Sequence, residues 1–343
     1  MGHRLARRCT LHFAICVPAR NEAAGLPALF ASLDALTLRA DERITLYLLL
    51  DGCSDDSDEV ARQCSERYAL ETVIQHAKSG SCNAGRARGA ALDMGLQALG
   101  PNHGFLLTTD ADSTPASSWI ATMRVAMGSA DLVAGAVRRT GGRICALHDR
   151  LERYLDDLFE LRRELDPVPW EAVATHHHAS GANIGLRADV LRSLGGVRPV
   201  ASGEDALLLD DAARAGFRVR RDAACIVVTS DRRSGRATAG FARTLDWLDG
   251  VGAADVPVAH PDDAAWQYRR QASARAGYQA DRLGEVAAVL ELSLDHVTGV
   301  ARDCPNAEAF AMQIVPTPPD GMREVPLPRA EAILFGLRER AAA

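Results

Sequence analysis

Three times before residue 100, this 343-residue chain runs through the same succession: a short apolar run, an abrupt polar tip, then a stretch of helical period. Residues 11–17 read as a first strand stopped by Pro18, and Leu26, Leu29, Phe30, Leu33 and Leu36 follow at helical spacing. Residues 44–50 read as a second strand that breaks at Asp51-Gly52-Cys53-Ser54-Asp55-Asp56-Ser57, with a helix over 57–67 behind it. A third strand over 71–75 leads into His76-Ala77-Lys78-Ser79-Gly80 and a helix over 86–99. A fourth, over 105–109, stops at Asp110-Ala111-Asp112. Successive strand–helix units predict an α/β fold with a mostly parallel, doubly wound (Rossmann-like) central sheet flanked by helices. Sheets of this kind bind ligands outside the carboxyl ends of their strands. The polar tips are therefore expected to line one crevice.

The pattern then loosens. A helix over 117–127 and a strand over 131–137 precede a charged stretch, 143–165, in which Leu147, Leu151, Tyr154, Leu155 and Leu158 recur at helical spacing. This reads as a long amphipathic helix inserted in the fold. Beyond it lie His176-His177-His178, the run Ser180-Gly181-Ala182-Asn183, a helix over 187–194, Gly203-Glu204-Asp205 and a helix over 206–215. Strands over 217–221 and 225–229 end in a basic segment carrying Arg232, Arg233 and Arg236. From about Phe241 the chain turns helical, with one helix expected over 283–300. Residues 1–240 are thus expected to form the α/β domain and 241–343 a helical C-terminal extension.

Composition excludes several classes. Thirty-nine basic against 45 acidic side chains leave a net charge of −6, so nothing favours nucleic-acid binding. Eight scattered cysteines without a CxxC pair suit a reduced, cytoplasmic setting and not a disulfide framework. No apolar run approaches the ~20 residues that span a bilayer. The basic start, Met1 to Arg8, precedes too brief an apolar run for a secretion signal. A peripheral membrane contact and a homo-oligomeric contact both stay compatible with the chain.

Asp110 and Asp112, two apart in extended chain, point to the same side. Two hard oxygen donors suit a divalent cation that keeps positions open for phosphates. The structural alternative is that Asp112-Ser113-Thr114-Pro115 caps the next helix. Glu22 could merely compensate a helix N-terminus, Asp51 could be a turn residue, and Glu204 could cap the helix that follows it. Neighbouring histidines diverge in helix or strand, so three in a row cannot all face one ion. His178 is the one retained as a candidate.

Taken together, these residues resemble the family 2 glycosyltransferases of the GT-A fold, over roughly residues 13–236. Val17-Pro18-Ala19-Arg20-Asn21-Glu22 is similar to that family's opening turn, and Asp51-Gly52-Cys53-Ser54-Asp55 to its second-strand motif. Asp110-Ala111-Asp112 is similar to the metal-binding DxD, Ser180 to Asn183 to the acceptor-side motif, and Gly203-Glu204-Asp205 to the pair that carries the catalytic base. The resemblance implies a nucleotide-sugar donor held by Pro18, Ala19, Arg20, Glu22, Asp51, Asp110 and Ala111, with Lys78 and Arg88 as further candidates. It implies a divalent metal, Mg or Mn, on Asp112 and Asp110. Arg232, Arg233 and Arg236 become candidates for the diphosphate, since guanidinium forks suit its oxygens. Asp205, beside Glu204, would deprotonate the hydroxyl of a small-molecule or lipid acceptor held near His178, Ser180, Gly181, Ala182 and Asn183, inverting the anomeric centre. The chain departs from the family at Gly89, where asparagine is usual, and in lacking a Gln-x-x-Arg-Trp motif, which argues against a processive synthase. A retaining transferase, a nucleotidyltransferase and a catalytically silent sugar-nucleotide-binding scaffold are the competing readings.

Overall fold

The computed structural model describes residues 10–77, 83–101, 104–140, 145–233, 241–318 and 321–342. Lys78 and Arg236 fall outside them. The first half alternates as expected: β1 (Leu11–Ala19), α1 (Leu26–Asp34), β2 (Glu42–Leu50), α2 (Ser57–Arg67), β3 (Thr72–His76), α3 (Ala84–Leu99) and β4 (Phe105–Thr108). Then follow β5 (Ser113–Pro115), α4 (Trp119–Met127), β6 (Leu132–Arg139), α5 (Ala146–Leu165), β7 (Ile184–Arg187), α6 (Ala188–Leu194), α7 (Glu204–Arg214) and β8 (Val219–Thr229). These eight strands form one sheet in the order β3-β2-β1-β4-β7-β6-β8-β5. β1 to β4 pair in parallel, while β7 runs antiparallel between β4 and β6. β6 and β8 are parallel, and β5 is antiparallel to β8 at the far edge.

Alternation along the strands builds two apolar layers. Phe13, Ile15 and Val17 of β1 and Leu46, Leu48 and Leu50 of β2 face α1, α2 and α4. Ala14, Cys16, Tyr47 and Leu49 face the other way, against α3, α6 and α7. Burial on both faces is why these strands read as nearly unbroken apolar runs.

Three sequence expectations are corrected, and a strand, β7, is added. β1 does not stop at Pro18 but runs to Ala19, paired with Leu49 and Leu50 of β2. The Asp51 N–H donates to the Ala19 carbonyl, so Pro18 faces the β4 side, where pairing has ended at Cys16 and Thr108. β7 went unread because it is short and opens beside Gly185. The two strands expected over 217–221 and 225–229 are one, β8 (Val219–Thr229), with an irregularity at Gly135/Ala136 of its partner. The helix expected over 283–300 is two, α10 (Leu283–Leu290) and α11 (Leu294–Asp303), broken at Glu291, whose φ is 56°.

The remaining elements are α8 (Phe241–Gly250), β9 (Pro257–Ala259), α9 (Pro261–Gln279), α12 (Ala307–Ile314), β10 (Glu324–Pro326) and α13 (Leu327–Ala342). The inserted helix belongs to their packing: Tyr154, Leu158 and Leu161 of α5 share an apolar cluster with Leu248, Ala265, Leu327 and Leu334. Arg275 of α9 adds a buried ionic tie to Asp166 and Glu308. No described helix is long and apolar enough to cross a membrane.

Candidate active site

The carboxyl ends of β1, β2 and β4 open on a cleft of about 420 Å³. Pro18, Ala19, Arg20, Glu22, Asp51, Arg88, Asp110, Ala111, Asp112, Ser180, Glu204, Asp205 and Arg232 all line it. Residues as much as 210 positions apart in the chain, Glu22 and Arg232, therefore meet at one place. The lining also includes Asn83, Ser202, Thr229, Ser230 and Ala242, which carry no sequence motif. Ala242 brings the first turn of α8 to the rim.

Two turns lock the front of the cleft. Asn21 sits at φ 54°, a left-handed conformation that asparagine tolerates better than most residues. Its Oδ1 accepts from the Ser54 N–H at 2.7 Å, and Asp55 Oδ2 accepts from the Ala23 N–H at 3.1 Å. The first two motifs thus clasp one another. Burial raises Asp51 above the usual carboxylate range, which Arg20 partly offsets. Among the described residues, Arg20 Nη1 is enclosed with no protein hydrogen-bond partner. A buried guanidinium N–H calls for an acceptor.

Arg88 is the floor. Expected as a further donor-binding candidate, it is 7% exposed and surrounded. Its Nε donates to Glu204 Oε1 at 3.0 Å, Nη2 to Asp110 Oδ1 at 2.9 Å, and Nη1 to Thr108 Oγ1 and the Gly181 carbonyl at 2.9 and 3.0 Å. Burial alone would lower its pKa, but Asp110, Glu204 and Asp205 outweigh burial and hold it above the ordinary value. Gly181 is required there: a Cβ would lie 2.2 Å from the guanidinium carbon. The helix-cap reading of Glu204 is overturned, because Gly203 at φ 76° is the N-cap of α7 and the Glu204 carboxylate goes to Arg88.

Asp205 stands one residue further into the same helix start. Its Oδ2 accepts from the Gly181 N–H at 2.9 Å and its Oδ1 from the Ala206 N–H at 2.8 Å.

The DxD tip sits opposite. Asp112 does not cap the following helix, which begins at Trp119 with Ser118 as N-cap. Instead the chain enters β5, where Ser113 Oγ donates to Thr229 Oγ1 at 2.9 Å. That pairing delivers Arg232, just past β8, onto the acidic tip. Arg232 makes a bidentate pair with Glu22 at 2.6 and 2.8 Å and lies 3.1 Å from Asp112 Oδ2. Burial, with repulsion from Asp110 and Glu22 that Arg232 only partly offsets, pushes Asp112 up to about 6. Asp110 and Asp112 bring two hard oxygen donors to one tip, a set that suits a divalent cation, so the residues present fit one.

Other candidates lie elsewhere. Asn183 is fully buried and spent on structure: Oδ1 accepts from Trp119 Nε1 at 2.8 Å, and Nδ2 donates to the Ala136 and Cys225 carbonyls at 2.8 and 2.9 Å. Ala182 is buried beside it. Arg233 pairs with Asp249 of α8 at 2.9 Å and does not join the lining. His178 turns to Glu152 on α5 at 2.8 Å. His176 is buried, and that burial, with His178 and Arg221 nearby, lowers its pKa to about 3; its Nε2–H donates to the Ala134 carbonyl at 3.1 Å.

The chain matches the family described as "Glycosyl transferase family 2" over residues 14–194, more than half its length, and belongs to that family. It is a glycosyltransferase with a GT-A fold. S. aureus TarS, solved with UDP-GlcNAc, is 14% identical, with 88% of this chain and 90% of that one aligned at a TM-score of 0.52. A mannosyltransferase from Pyrobaculum calidifontis, solved with GDP-Man and Mn2+, is 16% identical over 97% and 80% of the two chains, with a TM-score of 0.48. Glucosyl-3-phosphoglycerate synthase from Mycobacterium tuberculosis, solved with phosphoglyceric acid, is 20% identical over 73% and 84%, with a TM-score of 0.43. At these identities the likeness concerns the fold alone. No curated protein is similar enough in sequence to match the chain.

Proposed function

We propose that this protein transfers one sugar from a nucleoside-diphosphate donor to an acceptor hydroxyl, with inversion and with the help of a divalent cation, and that it is not processive. The observation that carries this is the meeting of Asp51, Asp110, Asp112 and Asp205 around one cleft. Arg20 and Asp51 are suited to the nucleoside: a carboxylate accepts from a base N–H or ribose hydroxyl, and the enclosed Arg20 N–H calls for an acceptor. TarS, which shares the fold, was solved with a UDP-sugar, in keeping with a donor of this class.

Asp110 and Asp112 would hold the cation, which supplies charge neutralisation for the departing diphosphate. Arg232, already on Asp112 and Glu22, is positioned to exchange those carboxylates for diphosphate oxygens. Asp205 takes the acceptor proton. Fixed by the Gly181 N–H, it would act from the side opposite the leaving group. Glu204 does not share that task, because Arg88 neutralises it.

Thermal-shift screening of the whole chain against a panel of nucleoside diphosphates, with Mn²⁺ or Mg²⁺, tests the proposal. One base should raise the melting point by mass action, by a margin that Asp112→Asn removes. No shift with any nucleotide overturns it.

A further inference from the structure

The histidine run that the cleft leaves unused gathers elsewhere. Residues 176–180 are irregular, so neighbouring side chains need not diverge as in a strand or helix. His176 turns inward, its Nδ1 accepting from the His178 N–H at 3.0 Å, and the rings of His177 and His178 come to 4.3 Å. Both face α5. His177 Nε2 is 3.3 Å from Glu152 Oε1, and His178 Nε2 is 2.8 Å from Glu152 Oε2. One ligand atom from each of the three residues lies within 4.8 Å of the others. His148, one turn before Glu152, puts its Nε2 3.5 Å from Glu152 Oε1.

We infer that Glu152, His177 and His178 form a second metal site, separate from the DxD cleft, for zinc or a similar borderline divalent ion. The spacing suits it, because ligands ~2.0–2.1 Å from a tetrahedral zinc ion stand about 3.4 Å apart. The donor set suits it, since imidazole nitrogen selects zinc over the magnesium and manganese that hard carboxylates prefer. The surroundings suit it as well. Asp156 Oδ1 lies 2.7 Å from His177 Nδ1, so a proton on Nδ1 donates to that carboxylate, and Nε2, which faces Glu152, is the atom an ion would take in place of a proton. A carboxylate behind a ligating histidine is the usual device for fixing its tautomer.

The ion would clip residues 176–180 of the catalytic half to α5, whose apolar face packs with the C-terminal helices. The clipped segment leads directly to Gly181, which orients both Asp205 and Arg88. Glu152, His177 and His178 would therefore be positioning residues. The site does not depend on the sugar-transfer reading.

The test uses the full chain, stripped with chelator and titrated with Zn²⁺ by calorimetry. Asp112→Asn, which disables the cleft, should retain one equivalent; Glu152→Gln and His177→Ala should lose it. Asp156→Asn should weaken binding about 10–100-fold. X-ray absorption at the zinc edge of the loaded wild-type protein should show two imidazole ligands, a readout that needs no variant. Far-UV spectra in chelator establish that each variant folds. Failure of the Asp112→Asn protein to bind zinc, binding unchanged in Glu152→Gln and His177→Ala, or a zinc shell without imidazole would each overturn the site.

Discussion

Two polar clusters lie on either side of the segment 176–181, and different chemistry neutralises them. In the cleft, Glu22, Asp110, Asp112 and Glu204 are answered by arginine, from Arg88 beneath and Arg232 above. On α5, Glu152 and Asp156 are answered by imidazole, from His177 and His178. An arginine keeps its charge at any working pH and offers no lone pair. It can hold carboxylates apart and bind phosphate, but it cannot ligate an ion. A neutral histidine can. The contrast teaches that carboxylates close together do not define a site by themselves. Their partners decide what else can join them: an arginine can turn to a phosphate, and an imidazole can itself become a ligand.

Changes at four positions would break or sharpen that contrast. Asp205→Asn should cost most, lowering turnover about 10²–10⁴-fold while the binding of the diphosphate found by thermal shift stays intact. Calorimetry and a product assay on the same preparation separate the two. Arg88→Leu should come next. It strands Asp110 and Glu204 without a partner, and breaking a buried pair costs about 3–5 kcal/mol, read as a lower urea midpoint. Arg88→Lys should not rescue it, since a point charge cannot serve Glu204, Asp110, Thr108 and Gly181 together. Arg232→Ala should weaken diphosphate binding by about 1.5–3 kcal/mol, the worth of hydrogen bonds to a charged group, and leave zinc binding unchanged.

The smallest effect concerns Asp51. Burial raises its pKa, so the folded chain holds the neutral carboxyl better than the charged one. Above both the folded and unfolded values the ionised group therefore costs stability, and that cost is relieved as pH falls through the raised value. Asp51→Asn should raise the melting temperature slightly at neutral pH while weakening donor binding. A melting curve and a titration on one sample check both signs. An unchanged affinity would remove Asp51 from the nucleoside contact.

Much of the parallel half was legible because its signals are local. β1, β2 and β4 are apolar on both faces, and each ends on a polar tip, so strand, helix and ligand edge could be read within a few residues. Short elements with few apolar side chains escaped: β5 holds three residues, and β7 opens beside a glycine. Glu204 read as a catalytic neighbour of Asp205 or as a helix cap, yet its partner lies 116 positions away in Arg88. Asn183 looked like a site residue because its run resembles the family's acceptor-side motif; only the packing of Trp119 and the β6 and β8 carbonyls shows the amide in use.

By itself, then, the order of residues determined the βα rhythm, the acidic strand tips and the family, because periodicity and short motifs are properties of neighbours along the chain. Which charge meets which was left to the tertiary structure. Arg232 reaches Asp112 through the β5–β8 pairing, and His177 reaches Glu152 through the turn of an irregular loop onto a helix. Partnerships of that kind depend on distances through space, which no spacing along the chain encodes.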